Sequence, residues 1–256
     1  MVIKLRIGGN KMYINNIHIL GYFFIGLFGM ILGQFMNWVN IRFSHHKKVF
    51  CREFFYQYFP NQKINMFLIF STMLLYILII YLFGLNLISL KYLLLTPFII
   101  SVFAIDFKDH IIPDRLILIL FEIGMIFSVI EGFDSLNIFI DRLLGMTIGF
   151  AIFGIITLLG GFIAKKKAMG YGDVKLMAAL GLIFGIMGIL MIIVISFLIA
   201  AIVSAVLLIV KKKKFTEYIA FGPYISIASF IVMFSSINSL LFVLLKIFTL
   251  GTYSLG

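Results

Sequence analysis

Charged residues are scarce in this chain of 256 residues. They make up 12% of the sequence and hydrophobic residues make up 63%, a balance far outside the range of soluble globular domains. The low charge therefore excludes a soluble domain as the main part of the chain. Apolar stretches of about 20 residues, enough to cross about 30 Å of hydrocarbon as helices, recur along the chain. They predict an integral membrane protein.

Three further absences narrow the class of protein. The single cysteine, Cys51, lies near His45 and His46 in a basic loop, which we interpret as a solvated loop and not as a metal site, because a tetrahedral zinc site needs four ligands. A Rossmann-type glycine pattern after a strand is absent, so no cofactor site of that kind is indicated. An A-x-A-like cleavage site does not follow the first apolar run, which is therefore predicted to remain as a span.

The apolar runs predict an all-α, polytopic transmembrane helical bundle with about eight spans. An N-terminal segment, 1–17, precedes a single transmembrane domain, 18–256. The division between the sixth and seventh spans depends on the glycines at 185–188. The predicted spans are 18–40, 64–83, 87–105, 114–130, 138–163, 174–188, 189–210 and 222–247.

The net charge of +11 collects in loops between the spans, where it sets topology, so we predict no nucleic-acid partner. Cations fill the loop at 42–63 and the lysine runs at 165–167 and 211–214. These three loops are predicted to be cytoplasmic, and counting spans then places both termini outside. Basic residues before the first span favour a cytoplasmic N-terminus, but the first loop carries the larger charge.

Small residues predict close contacts between helices, because association in lipid depends on tight packing of backbones. Residues 145–149, G-M-T-I-G, have the small-xxx-small spacing within the fifth span. The predicted contact points are Gly145, Gly149, Gly160, Gly161 and Gly181.

Two acids stand at the ends of apolar runs, Asp106 after the third predicted span and Asp173 before the sixth. An ionisable side chain at or inside a bilayer costs about 3 kcal/mol on insertion scales, so it usually has a partner or a function. The predicted topology puts both acids at the cytoplasmic ends of their spans, at the same depth, where they can meet. Glu122 falls inside the fourth span and is predicted, for the same reason, to face the bundle as a functional candidate.

A pair of carboxyl groups suits the hydrolysis of an amide by water. One carboxylate takes a proton from the water while the other, protonated, polarises the carbonyl and later protonates the leaving nitrogen. Two such groups about 3 Å apart share one proton and titrate as a unit. This chemistry requires no metal.

The string G-Y-G-D at 170–173 has two interpretations. Glycines without a Cβ let the backbone turn sharply and let an extended substrate approach Asp173. The same string also fits a glycine-rich helix start at which Asp173 is the N-terminal cap. The presence of a second acid favours the catalytic interpretation.

Four motifs resemble, in order, those of the type IV prepilin leader peptidase family, which are membrane-embedded G-x-G-D aspartic peptidases. Residues 105–116, I-D-F-K-D-H-I-I-P-D-R-L, resemble the family's I-D-x-x-x-x-x-[IL]-P-D-x-L motif, and residues 170–181, G-Y-G-D-V-K-L-M-A-A-L-G, resemble its second motif. Residues 33–37 with Arg42 resemble the family's G-S-F-L-N...R, and residues 221–224 resemble its F-G-P-x.

The resemblance implies that Asp106 and Asp173 are the catalytic pair, since the family's first acid stands seven residues before the motif proline. Asp114 is then predicted to cap the fourth helix, and Asp109 to be a solvated loop acid. Lys175 either stabilises the charge of Asp173 or contacts substrate, or else it is a topology determinant or a headgroup contact. The residues that support the motifs are Gly170, Gly172, Lys175, Pro113 and Asp114.

The family's activity gives the expected function. The resemblance implies an endopeptidase of the bacterial inner (cytoplasmic) membrane that removes the short basic leader from type IV prepilin or pseudopilin precursors. It would cut after the leader glycine at the cytoplasmic face. Many members also methylate the new N-terminus with S-adenosylmethionine, an activity associated with a loop that carries two C-x-x-C pairs. Here that loop, 42–63, is shortened and keeps Cys51 alone, so S-adenosylmethionine is expected only if methylation is retained, and the peptidase needs no cofactor.

Two non-enzymatic functions are the alternatives. A transporter could bind protons or cations with its acids at helix breaks, but it would hold them near the midplane and show repeat symmetry between its halves. These acids stand at one face and internal repeats are not evident. A scaffold for pilus or secretion assembly with a decayed site is disfavoured because both aspartates are intact.

Overall fold

The computed structural model describes residues 6–7, 12–14, 17–45, 47–49, 64–164, 170–210 and 220–248. Three short antiparallel strands in the order β1-β2-β3 precede the helices: β1 Arg6–Ile7, β2 Met12–Ile14 and β3 Ile17–His18. Strands of two or three residues are too short to leave a periodic signal, and they were not predicted. Cys51, His46 and the lysine runs at 165–167 and 211–214 lie outside the described residues.

Eight helices follow within the described residues, and they confirm the predicted all-α, polytopic bundle. The helices are α1 Ile19–Ser44, α2 Met66–Phe83, α3 Leu87–Asp109, α4 Asp114–Asp134, α5 Leu136–Ala164, α6 Tyr171–Ile209, α7 Gly222–Phe234 and α8 Ile237–Phe248. The chain forms two compact units, residues 1–101 and 102–256, and α3 begins in the first and ends in the second.

In the first unit, α1 and α2 pack closely through glycines. A Cβ on Gly29 would lie 2.5 Å from Cδ2 of Tyr76 and 3.0 Å from the Cα of Met73. The Thr72 hydroxyl donates to the Gly29 carbonyl at 2.8 Å, which joins the two helices by a hydrogen bond across this contact. Away from the polar C-terminal end of α1, both helices are mainly apolar on all sides, so close backbone approach and not a polar–apolar pattern selects the contact face there.

The C-terminal end of α1 is polar and buried. Asn37, Asn40 and Arg42 are 8%, 7% and 6% exposed. Asn65 donates through Nδ2 to Asn37 Oδ1 at 3.4 Å, and the Arg42 guanidinium lies 4.4 Å from the centroid of the Trp38 ring. Asn37 and Arg42, which belong to the motif at 33–37 with Arg42, are therefore buried and in contact with neighbouring residues at this end of the helix pair.

In the second unit, α5 and α6 make the closest helix contact, and the glycines predicted for it take part. A Cβ on Gly145 would lie 2.5 Å from the Gly181 carbonyl oxygen, and one on Gly149 would lie 2.5 Å from the Met177 carbonyl oxygen. The prediction is confirmed for Gly145, Gly149 and Gly181. The prediction for Gly160, near the C-terminal end of α5, stays untested, and the surroundings of Gly161 lie outside the described residues.

Helix α6 reverses direction at Gly185. Gly185 has φ 74° and ψ −172°, a backbone conformation that L side chains rarely adopt. A Cβ on Gly149 would meet both the Met177 carbonyl oxygen at 2.5 Å and Cγ1 of Ile189 at 3.1 Å. In an uninterrupted helix these two residues would be about 18 Å apart along the axis. The chain therefore folds back at Gly185 and passes along α5 twice.

The candidate spans fit the predicted bundle of about eight spans once the reversal of α6 is counted. Six helices in the described part of the chain are long and apolar enough to cross a membrane, or seven if α7 and α8 together count as one span. The 39 residues of α6 consist of two helices that meet at the non-helical Gly185, and these correspond to the spans predicted at 174–188 and 189–210. The predicted dividing point therefore coincides with the reversal at Gly185.

The last predicted span, 222–247, is not a straight helix. Helices α7 and α8 are bent by 118° relative to each other, and Ser235 and Ser236 separate them. The Ser236 hydroxyl accepts a hydrogen bond from the Ser239 backbone N–H at 3.3 Å, which starts α8 with an N-terminal cap. Two serines inside an apolar run are a weak breaker signal, and the break was therefore not predicted.

Candidate active site

Asp106 lies in the last turn of α3, and the local sequence ends that helix just after it. His110 has φ 54°, and its backbone N–H donates to the Asp106 carbonyl at 3.1 Å, a left-handed C-terminal cap. The Asp106 side chain is 3% exposed. Its Oδ2 accepts a hydrogen bond of 2.8 Å from the backbone N–H of Gly222. The carboxyl group is thus buried and held by the first residue of α7.

Asp173 is the third residue of α6, and its side chain is also 3% exposed. Its Oδ2 accepts a hydrogen bond of 3.2 Å from the backbone N–H of Gly170, the residue that caps the helix. Its Oδ1 is buried and has no hydrogen-bond partner among the described residues. One oxygen of this acid therefore stabilises the helix start, and the other is not used by the fold.

The structure brings the two acids together. The carboxyl groups of Asp106 and Asp173 lie close enough to interact electrostatically, although they are 67 positions apart in the chain. Both belong to the second compact unit. Two buried carboxyl groups that interact can hold one proton between them, which is the arrangement that general acid and general base chemistry needs.

The segment before α4 packs against the start of α6. A Cβ on Gly172 would lie 3.2 Å from the Cβ of Ile112, so the small residue permits the close approach of the two motif segments. Gly170 has φ −74° and ψ 143°, which any residue can adopt, so its conformation alone does not require glycine. Pro113 is buried and forms the N-cap of α4 with φ −62°.

Asp114 does not cap α4 as predicted. It is in the first turn of the helix, but the N-cap is Pro113 and no side-chain cap hydrogen bond is made. The Asp114 carboxylate instead accepts from the Lys175 ammonium at 2.8 Å. This ion pair joins the N-terminal ends of α4 and α6, and it gives Lys175 a partner that none of the predicted alternatives named.

Glu122 does not face the bundle, and this prediction is wrong. The residue is exposed on α4, whereas the packed side of that helix is formed by residues such as Leu120, Gly124 and Ser128. Ser128 reaches the Leu182 carbonyl of α6 at 3.0 Å. The sequence marks Glu122 as an acid within a span, but the helix face it occupies depends on the packing against α6.

Gly222 is the residue of this site to which sequence analysis assigned no role. Its F-G-P motif was recognised, but its contact with Asp106 spans 116 residues. A glycine directly before a proline at a helix start was the available signal. Asp109, predicted as a solvated loop acid, is exposed but is the last residue of α3.

The fold and the paired acids together describe a polytopic membrane protein with a buried dicarboxylate site. In the comparison with known proteins, residues 93–205 match the model of the Type IV leader peptidase family. This region contains Asp106, Pro113, Gly170 and Asp173. Over these residues the chain is similar to that family, and the resemblance found in its motifs is confirmed.

Curated relatives agree with the family match. A prepilin leader peptidase/N-methyltransferase of Xanthomonas campestris pv. campestris is 33% identical over 142 residues, which are 56% of this chain and 48% of that protein. Proteins of the same name from Neisseria gonorrhoeae and Escherichia coli are 32% and 30% identical, over 63% and 52% of this chain and 54% and 58% of their own lengths. The chain spans about half the length of the curated relatives it matches. No solved structure matches it.

Proposed function

We propose that this protein is a membrane aspartic endopeptidase that removes the leader from type IV prepilin or pseudopilin precursors, with Asp106 and Asp173 as its catalytic pair. The observation that carries the proposal is the burial of both acids within interaction distance of each other. The family match over residues 93–205 supports the same activity. The site of action would be the inner (cytoplasmic) membrane of a bacterium, at the cytoplasmic face.

The chemistry follows from a shared proton. The ionised acid takes a proton from a water molecule, which attacks the carbonyl carbon of the scissile peptide. The protonated acid donates a hydrogen bond to the carbonyl oxygen and then delivers its proton to the leaving nitrogen. Each acid ends the cycle in the other's protonation state, so a proton exchange restores the pair. No step requires a cofactor.

The proposed substrate follows from the depth of Asp106 and Asp173 in the membrane. Asp106 is in the last turn of α3 and Asp173 in the first turn of α6, so both acids stand at helix ends and not at mid-span. A precursor whose apolar helix enters the bilayer with its basic leader still cytoplasmic would present its scissile bond at this depth. A glycine before the cut would favour the extended backbone that hydrolysis needs.

Methyl transfer is not part of the proposal. The curated relatives are also named N-methyltransferases, and S-adenosylmethionine would be the donor if this chain retained that activity. The loop that the family resemblance associates with methylation is shortened here to 42–63 and has one cysteine. His45, at the end of α1, is exposed, and no cluster of three or more His, Cys, Asp or Glu residues able to hold a metal occurs in the described ranges.

Co-expression with a pilin-like precursor tests the activity. We expect a shift to the mature size on a gel, and N-terminal sequencing should place the cut directly after the leader glycine. Replacing that glycine with valine should greatly reduce cleavage, because the branched side chain hinders the approach of the backbone to the acids. The mass of the new N-terminus will show whether a methyl group has been added.

Two results would contradict the proposal. A precursor that stays uncleaved with confirmed membrane expression of the enzyme, across several pilin-like and pseudopilin-like substrates, would favour a scaffold or transporter. Cleavage at a position unrelated to the leader glycine would instead indicate a membrane protease with different substrates. A host lacking any endogenous prepilin peptidase is required, and the vector without the gene is the control.

A further inference from the structure

The two acids are held in matching ways by two glycines. Gly222 N–H donates to Oδ2 of Asp106 at 2.8 Å, and Gly170 N–H donates to Oδ2 of Asp173 at 3.2 Å. Gly222 begins α7 and Gly170 caps α6. In each case a backbone amide at a helix start occupies one carboxyl oxygen and leaves the other, Oδ1, for the reaction.

We infer that Gly222 is a positioning residue for Asp106: its N–H fixes the orientation of the carboxyl group, and its missing side chain makes the room that the carboxyl group occupies. This inference rests on the proposed function only in naming Asp106 as a reacting group. The hydrogen bond and the steric fit are properties of the fold.

The steric argument is specific to the carboxyl group. A Cβ on Gly222 would lie 2.6 Å from Oδ2, 3.0 Å from Cγ and 3.1 Å from Cβ of Asp106. All three nearest atoms belong to the same acid. Because Asp106 is buried, its side chain cannot move into solvent to make room. An alanine at this position must therefore displace the carboxyl group itself.

The amide has no competing role in its helix. The first N–H groups of an α-helix lack an intrahelical acceptor, and the next residue, Pro223, has no N–H to offer. Gly222 is thus the foremost backbone donor of α7, and its bond to the acid also places the carboxyl group at the positive end of the helix dipole. Asp106 caps α7 from another helix.

Aromatic packing keeps this donor in place. The Phe221 ring lies 5.8 Å from the ring of Phe153 on α5 and 5.1 Å from the ring of Phe197 on α6. Phe153 is fully buried. The residue before Gly222 is therefore anchored to two helices of the same unit, which fixes the position from which the amide reaches Asp106.

The first test is kinetic, on purified enzyme with a pilin-like precursor. We expect Gly222→Ala to lower kcat by about 10- to 100-fold with KM changed by less than about threefold, because a misplaced carboxyl group affects the reaction and not the docking of the substrate. Gly154→Ala is the matched control, since a Cβ on Gly154 meets nothing within 4 Å, and it should keep the full kcat. An unchanged kcat in Gly222→Ala, or a loss confined to KM, would overturn the inference.

The second test separates positioning from general damage to the fold. Gly222→Ala should lower the apparent Tm in detergent, and most of that loss should disappear when Asp106→Ala is also present, because the displaced group is gone. An equal loss of Tm in both backgrounds would overturn the inference, because the alanine would then disturb something other than Asp106. This measurement needs no substrate.

The two tests keep the inference and the proposed function apart. Coupling of the Tm values without any cleavage by the wild-type enzyme would support the contact and contradict the peptidase. Normal cleavage by Gly222→Ala together with loss of cleavage in Asp106→Asn would support the peptidase and contradict the positioning role.

Discussion

At the scale of single residues, Asp173 combines a structural role with the catalytic role that we propose for it. Its Oδ2 accepts from the cap amide of α6, which is the structural interpretation of the G-x-G-D string, while its Oδ1 stays buried without a partner in the described part of the chain. A buried acceptor without a partner is costly, and proximity to Asp106 supplies a functional reason for keeping it. The two interpretations of the string are therefore compatible.

The ion pair between Lys175 and Asp114 is a different case, because both side chains are largely exposed, 52% and 74%. Exposed pairs contribute less than about 1 kcal/mol and are screened by salt. We predict that Lys175→Met changes the free energy of unfolding by less than about 1 kcal/mol, with the difference from wild type shrinking in high salt. Thermal unfolding in detergent at low and high salt measures this, and a loss that is large and independent of salt would contradict it.

At the scale of helices, the contact between α5 and α6 depends on backbones that meet without side chains between them. Gly145 and Gly181 face each other, and a Cβ on Gly145 would also lie 2.6 Å from the carbonyl carbon of Gly185. Backbone atoms cannot rotate away as a flexible side chain can. The part of α6 before Gly185, which carries Asp173, is therefore packed tightly along α5.

We predict that Gly145→Ala destabilises the protein by about 1–3 kcal/mol, the usual cost of overpacking a close contact. Gly154→Ala, on the same helix but facing open space, should be neutral or slightly stabilising, because alanine favours helix more than glycine. Detergent unfolding of both variants measures the difference. Equal stabilities would show that the close contact does not exist in solution.

The reversal of α6 at Gly185 illustrates what the sequence can predict. The apolar run from 174 to 210 is too long for one crossing, and its glycines mark the only plausible interruption, so the dividing point was correct. The sequence does not predict the acceptor at the start of the part of α6 after Gly185, where Asp141 Oδ1 accepts a hydrogen bond from the Ile186 N–H at 3.3 Å. That contact joins residues 45 positions apart, and apolar periodicity carries no information about such pairs.

Apolar periodicity carries no information about contacts between distant parts of the chain, and this also explains the other differences between prediction and structure. The length of an apolar run predicts that Glu122 lies within a helix, but the exposed face is selected by packing against α6. Both acids were found because charge is rare in this chain, whereas Gly222 carries no charge and its role depends on a neighbour 116 residues away. The bend at Ser235 falls in a mainly apolar run, in which two adjacent serines are only a weak signal of a break.

At the scale of the whole molecule, the basic loops predict which face is cytoplasmic. The start of α4 and the end of α3 would then be inside, and the junction between α4 and α5 outside. We predict that Asn137→Cys, in the first turn of α5, reacts with a membrane-impermeant maleimide added to spheroplasts, while Lys108→Cys, near the end of α3, reacts only after lysis. Both residues are exposed. Cys51→Ser serves as the background, and the opposite labelling pattern would invert the topology.

The central claim is that Asp106 and Asp173 form one catalytic unit, and the rate of precursor cleavage by purified variants tests it most directly. Asp106→Asn and Asp173→Asn should each lower kcat by about 100-fold or more, because either change removes half of the acid–base pair. Glu122→Gln, an exposed acid outside the site, should cleave at the wild-type rate. If either aspartate variant, shown to be folded by thermal unfolding, cleaves as fast as Glu122→Gln, the catalytic pair assigned here is wrong.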